Sequence, residues 1–236
     1  GAWYLGPSAN DRFWPPLREY LSAAKGLPAP AVQGIDDAST KVVSLLRAPN
    51  ADGPSSKGLV LGYVQSGKTS NFTAVIAKAA DAGYRLVVVL SGLHNALRAQ
   101  TQHRLEQDLL HHSNDWFAVT TVERDFKPLA EVRIDTLLAQ NDLRVLAIVK
   151  KNATILRRLK RWLSGANPLA LAECPVLLID DEADQASLNA SGTGERTKIN
   201  GLLLDIMSTL PKVAYVGYTA TPFANVLIDP SLDDLY

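Results

Sequence analysis

The chain has 236 residues, 24 Lys+Arg against 24 Asp+Glu, and one cysteine. That length holds one sizeable core with room for a helical appendage, and 47% hydrophobic with 20% charged residues excludes a disordered or low-complexity chain. The charge balance leaves no global field to gather nucleic acid, so such contacts must come from a local patch, and no apolar run approaches the roughly 18 residues of a membrane span.

The start, "GAWYLGPSANDRFW", lacks a basic segment followed by an apolar one, so it reads as an internal edge rather than a signal peptide. Residues 1–56 read as an N-terminal helical extension and linker. Asp11 to Ala24 carries Phe13, Leu17, Tyr20 and Leu21 at helical spacing, with Pro15 and Pro16 restricting any helix to start around them. Asp36 to Leu46 places Val42, Val43, Leu45 and Leu46 in a second helix, with Asp36, Asp37 and Ser39 as candidate caps. "APNADGPSSKG" follows as a linker by composition.

From residue 57 to 236 the pattern becomes that of one α/β domain. Apolar runs at 58–64, 85–91, 116–121, 144–149, 175–180 and 212–219 alternate with helical patterns at about 69–82, 94–110, 152–164 and 197–210. Near-continuous Val/Leu/Ile runs suit parallel strands buried on both faces, and the alternation predicts a doubly wound, mostly parallel sheet flanked by helices. "NASGTGERTKIN", residues 189–200, is expected to be a polar, mobile loop. Cys174, just ahead of an apolar run, is expected to be a passive small hydrophobe, and a lone cysteine fits a reducing cytoplasm.

Residues 62–69, GYVQSGKT, match GxxxxGK(S/T) at every fixed position, between a strand pattern and a helix pattern, as a phosphate-binding loop requires. Gly62 and Gly67 let main-chain amides turn toward phosphate oxygens, Gln65, Ser66 and Ser70 flank the cradle, Lys68 neutralises the β- and γ-phosphates, and the Thr69 hydroxyl ligates magnesium. The expected ligands are ATP and Mg2+. A second metal anchor is expected at the end of a buried strand, where "VLLIDDEAD" supplies carboxylates. Side chains alternate along a strand, so Asp180 and Asp181 point to opposite sides and only one readily reaches the metal. Asp181 is preferred because it directly precedes Glu182, which would orient and deprotonate the attacking water. Asp184 is expected to contact neighbouring loops.

Lys151 and Asn152 follow a strand, at the edge where open α/β sheets bind ligands, and are candidate nucleic-acid contacts. The segment after them exposes Arg157, Arg158, Lys160 and Arg161 opposite an apolar stripe, which reads either as a solvated face or as a contact for a DNA backbone. His94 and Asn95 lie at another strand end. The remaining histidines show no zinc-ligand spacing.

Asp181 to Asp184 spell DEAD, and "YTATP" at 218–222 follows the next strand pattern. With "VLSGLHNALRAQTQHRL" after the phosphate-loop helix, these stretches resemble the first lobe of a superfamily 2 helicase-type ATPase. Together with "KKNATIL", they also resemble the bacterial Z-one domain family of endonucleases associated with restriction and phage defence. The resemblance implies a RecA-like P-loop NTPase fold and an ATP-dependent motor or switch acting on DNA beside or within a nuclease system. It further implies that Asp184, Thr219 and Thr221 couple nucleotide state to the nucleic-acid groove, and that Ser91, Gly92, Asn95 and Arg98 touch DNA phosphates or brace their loop. No nuclease motif accompanies it, so a lobe of an intrinsic endonuclease and a nucleotide-gated protein-interaction switch stand as alternatives. A second RecA-like lobe and a nuclease or defence partner are expected outside this chain, and with no arginine finger from that lobe, worth about 10³ to 10⁵ in turnover, hydrolysis is expected to be slow.

Overall fold

Six runs of the chain pair into one all-parallel sheet: β1 (Ser56–Leu61), β2 (Leu86–Ser91), β3 (Trp116–Ala118), β4 (Arg144–Val149), β5 (Val176–Asp181) and β6 (Val213–Thr219), in the spatial order β1-β6-β5-β2-β4-β3. The computed structural model describes residues 3–51, 56–61, 65–183 and 194–219, with 56–61, 65–68, 195 and 196 described by main chain alone. Around the sheet lie α1 (Trp14–Glu19), α2 (Ala29–Leu45), α3 (Gln65–Ala82), α4 (Asn95–Asp108), α5 (Ile134–Leu138), α6 (Ala153–Ser164), α7 (Pro168–Ala172) and α8 (Glu195–Thr209). This is an α/β architecture, a parallel sheet flanked by helices with a helical N-terminal part.

β2, β4 and β6 are buried at every position. Parallel strands need crossovers, and the crossover helices cover both faces, which is why these runs are apolar rather than alternating. Alternation along each strand then separates two cores. On one face Val87, Val89, Leu146, Ile148, Leu177, Ile179, Val216 and Tyr218 pack with Phe72, Val75 and Ile76 of α3, Leu105 of α4, and Trp14 and Val43 of α1 and α2. On the other, Leu86, Val88, Leu90, Val145, Ala147, Val149, Leu178 and Tyr215 pack with Leu156, Leu159 and Leu163 of α6 and with Leu203 and Ile206 of α8.

The N-terminal helical part is anchored to α3 by charge as well as by packing. The Asp81 carboxylate accepts from the main-chain N–H groups of Arg12, Phe13 and Trp14 at 2.6, 2.9 and 2.8 Å, serving the start of α1 from outside it. Burial pushes this carboxyl above its usual range despite those three donors. Lys78, fully buried, donates to Asp36 and to the Thr40 hydroxyl, and its ammonium sits 4.4 Å from the Trp14 ring centroid. Desolvation lowers its pKa, and the Asp36 carboxylate opposes that shift.

Several boundaries differ from the sequence pattern. α2 begins at Ala29, because Pro28 and Pro30 fall where a missing N–H costs nothing. Asp36, Asp37 and Ser39 therefore lie inside the helix and do not cap it: Asp36 pairs with Lys78, Gln33 donates to Asp37, and the Ser39 hydroxyl returns to the Ile35 carbonyl. α1 continues as a π-helical turn at Tyr20–Ala24. β3 stops at Ala118, and the short helices α5 and α7 are too brief to leave a periodic signature. α8 starts at Glu195, inside the segment expected to be a loop.

Candidate functional site

All strands run the same way, so β1, β5 and β6 end on one edge, with β6 alone between β1 and β5. Neighbouring strands lie about 4.8 Å apart, so the ends of β1 and β5 stand about 10 Å from each other. A phosphate and a hydrated cation fit that interval. Leu61 pairs with Thr219 and Asp181 with Tyr218, which puts Asp181 one residue below the level at which β1 ends. The main chain of Gln65, Ser66, Gly67 and Lys68 forms the first turn of α3 above β1. A helix N-terminus there offers N–H groups and the positive end of the helix dipole. Gly62, Tyr63, Val64, Asp184 and Thr221 lie outside the described residues.

The two aspartates part company by face. Asp180 follows Val176 and Leu178 toward α6 and α8, and it is completely buried. Its carboxylate pairs with Lys151, itself 1% exposed, and accepts the Tyr215 hydroxyl at 2.7 Å. Asp181 follows Leu177 and Ile179 toward α3 and is partly exposed. It shares that side with Tyr218, whose ring meets Phe72 of α3 and whose hydroxyl donates to Asn71 at 2.9 Å. Burial, and after it the Asp181 charge, push the Tyr218 hydroxyl well above the usual tyrosine range, keeping it a neutral donor.

Glu182 has φ of 61°, a left-handed conformation costing about 1–3 kcal/mol in a residue with a side chain, and it turns the chain off the strand. The turn is held by Ala183 N–H donating to the Tyr218 carbonyl at 2.7 Å and by Lys151 Nζ donating to the Glu182 carbonyl at 2.8 Å. Glu182 Oε2 is buried and has no hydrogen-bond partner among the described residues. Carboxylate oxygens are seldom left so, since the unmet acceptor costs free energy. Thr69, Asp181 and Glu182 offer hard oxygen donors of the kind magnesium takes, and the orphaned Glu182 oxygen fits a site completed by a ligand.

The other candidate residues sort by exposure. Thr219 is 2% exposed at the end of β6, beside the end of β1. Ser70 is nearly buried and receives Arg104 of α4 at 3.4 Å. Ser91, Arg98 and Lys151 are at most 3% exposed and Gly92 is buried with them. The Ser91 hydroxyl contacts that of Thr101 at 2.9 Å, and Arg98 donates to the Val122 carbonyl at 2.6 Å. Asn152 caps α6 by accepting from Thr154 and Ile155 N–H. Asn95 remains exposed, accepting from Lys150 at 2.7 Å. On α6, Arg157, Arg158 and Arg161 face solvent while Lys160 pairs with Asp205 at 2.9 Å. The internal role of Lys151 and the part of Tyr215 had no signal of their own; only the opposite faces of Asp180 and Asp181 hinted that one carboxylate needed a buried partner.

No protein-family model and no curated protein matches the chain. Among solved structures, a Saccharomyces cerevisiae Dbp5 variant bound to RNA and ADP–BeF3 is similar with a TM-score of 0.45 and 15% identity, over 85% of this chain and 46% of that one. This chain therefore spans less than half of that structure's length.

Proposed function

We propose that the chain is an ATP- and magnesium-binding, helicase-type ATPase lobe of a DNA-directed protein, working in a bacterial restriction or phage-defence system with a second lobe and a nuclease partner. The observation that carries this reading is the position of Asp181 and Glu182. Asp181 follows Leu177 and Ile179 onto the α3 side of the sheet edge where the GxxxxGK(S/T) segment joins β1 to α3, one strand away, and Glu182 comes directly after it at the end of β5. Lys68 and the α3 amides receive the phosphates, and Thr69 and Asp181 are the residues that would hold magnesium. Bound there, the ion neutralises charge on the phosphate oxygens. Glu182 accepts a proton from the attacking water through the carboxylate oxygen that has no donor among the described residues.

A thermal melt tests the reading. ATP with magnesium at about 100 times Kd stabilises a protein by about 2.7 kcal/mol, and Lys68→Ala removes that shift. Equal stabilisation of both proteins refutes the phosphate-loop role. A second reading, a nucleotide-gated switch for a protein partner, gains from the burial of Ser91, Arg98 and Lys151, which withdraws them from any strand. Nucleotide-dependent partner capture without DNA-stimulated turnover selects it.

A further inference from the structure

Lys151 ties the end of β5 to the turn carrying Glu182. Its ammonium pairs with the Asp180 carboxylate and donates to the Glu182 carbonyl at 2.8 Å, and its own N–H donates to the Gly92 carbonyl at 3.0 Å. Asp180 is held in turn by the Tyr215 hydroxyl at 2.7 Å. A single residue at the end of β4 thus joins the ends of β2, β4 and β5. From this we infer that Lys151 is a positioning residue for the proposed hydrolysis: oriented by Asp180 and Tyr215, it fixes the left-handed main chain at Glu182 and so aims the Glu182 carboxylate.

The chemistry suits lysine. An ammonium donates in three directions from one compact point, which lets it serve a carboxylate and a carbonyl together inside a dry site. The pairing also accounts for two consecutive aspartates with different duties. Asp180 is spent on Lys151 beneath the sheet, while Asp181 stays on the α3 side. Gly92, whose carbonyl accepts the Lys151 N–H, has φ of 44°, and a Cβ there would stand 3.3 Å from Leu97 Cδ1, so both its left-handed main chain and the close approach of Leu97 call for glycine.

This inference rests on the ATPase reading, and the experiment separates the two. ATP affinity, melting temperature and single-turnover hydrolysis are measured for the wild type, Glu182→Gln, Lys151→Met/Asp180→Asn and the triple combination. The paired change removes both buried charges together, so a folded protein is expected. Its turnover falls by about 100-fold, the low end of what a positioned base contributes, with ATP affinity within about threefold of wild type. Adding Glu182→Gln to it produces no further fall, because both act through one group. Near-wild-type turnover in the folded double variant, or losses that multiply with Glu182→Gln, overturns the positioning role while leaving the ATPase reading intact. Wild-type turnover in Glu182→Gln, or no turnover in the wild type, overturns both. Should the double variant fail to fold, Tyr215→Phe keeps both charges and decides the matter: a several-fold fall in turnover at unchanged affinity supports the role, and unchanged turnover refutes it.

Discussion

Neutralising the two consecutive aspartates one at a time separates fold from site. Asp180→Asn takes the carboxylate from a fully buried Lys151 while leaving an oxygen for the Tyr215 hydroxyl. Removing one partner of a buried pair costs about 3–5 kcal/mol, and the retained hydrogen bond places this case near 3. In a domain of this size each kcal/mol moves Tm by about 2–4 °C, so the ligand-free protein should melt about 6–12 °C lower. Asp181→Asn changes a partly exposed residue, whose loss should stay within about 0.5 kcal/mol. The assay is a thermal melt of each variant with and without ATP, in magnesium or in chelator. Asp180→Asn keeps the magnesium-dependent part of the nucleotide shift on a lowered baseline, and Asp181→Asn loses that part on an unchanged baseline. The reverse pattern would mean that the carboxylate on the α6 side faces the phosphates, and the assignment by strand alternation would fail.

Asp81→Ala strands three main-chain donors at the start of α1 and should cost about 3 kcal/mol, with amide exchange rising across residues 12–45; urea denaturation showing under 1 kcal/mol would refute the anchoring role. Gly92→Ala should cost about 1–2 kcal/mol through its left-handed main chain, and Leu97→Ala should not restore the loss even though it clears the side-chain contact. Cys174 is completely buried and its thiol is pushed up to about 12 by desolvation. At pH 8 only about one thiol in ten thousand is thiolate, so alkylation should be negligible in the native protein and complete in urea; rapid native labelling would contradict its burial.

The strands were legible because they are buried on both faces: "LVVVL" and "VLLID" leave no other economical arrangement for consecutive apolar residues. Two early helices were less so. α2 opens among Pro28, Pro30 and Gly34, residues that discourage a helix interior but are tolerated near its start, and Asp36 looks like a cap until Lys78 is seen across from it. At the site, the spacing of Lys68, Thr69, Asp181 and Glu182 carries the chemistry expected, while burial of the nucleic-acid candidates had no local signal. Lys151 is cationic and follows a strand, as a ligand contact would, yet it is spent on Asp180 and on the Glu182 carbonyl.

Local sequence determines what depends on a residue and its near neighbours: strand and helix periodicity, a glycine-rich turn before a helix, and acids at a strand's end. Alternation also requires that Asp180 and Asp181 diverge. Which of them turns toward α3 depends on the crossover helices placed on each face, and that is set by contacts between residues far apart in the chain. Pairing β6 between β1 and β5 puts Asp181 on the α3 side of the edge where β1 ends, and packing α6 and α8 on the opposite side buries Asp180 where Lys151 and the Tyr215 hydroxyl stabilise its charge.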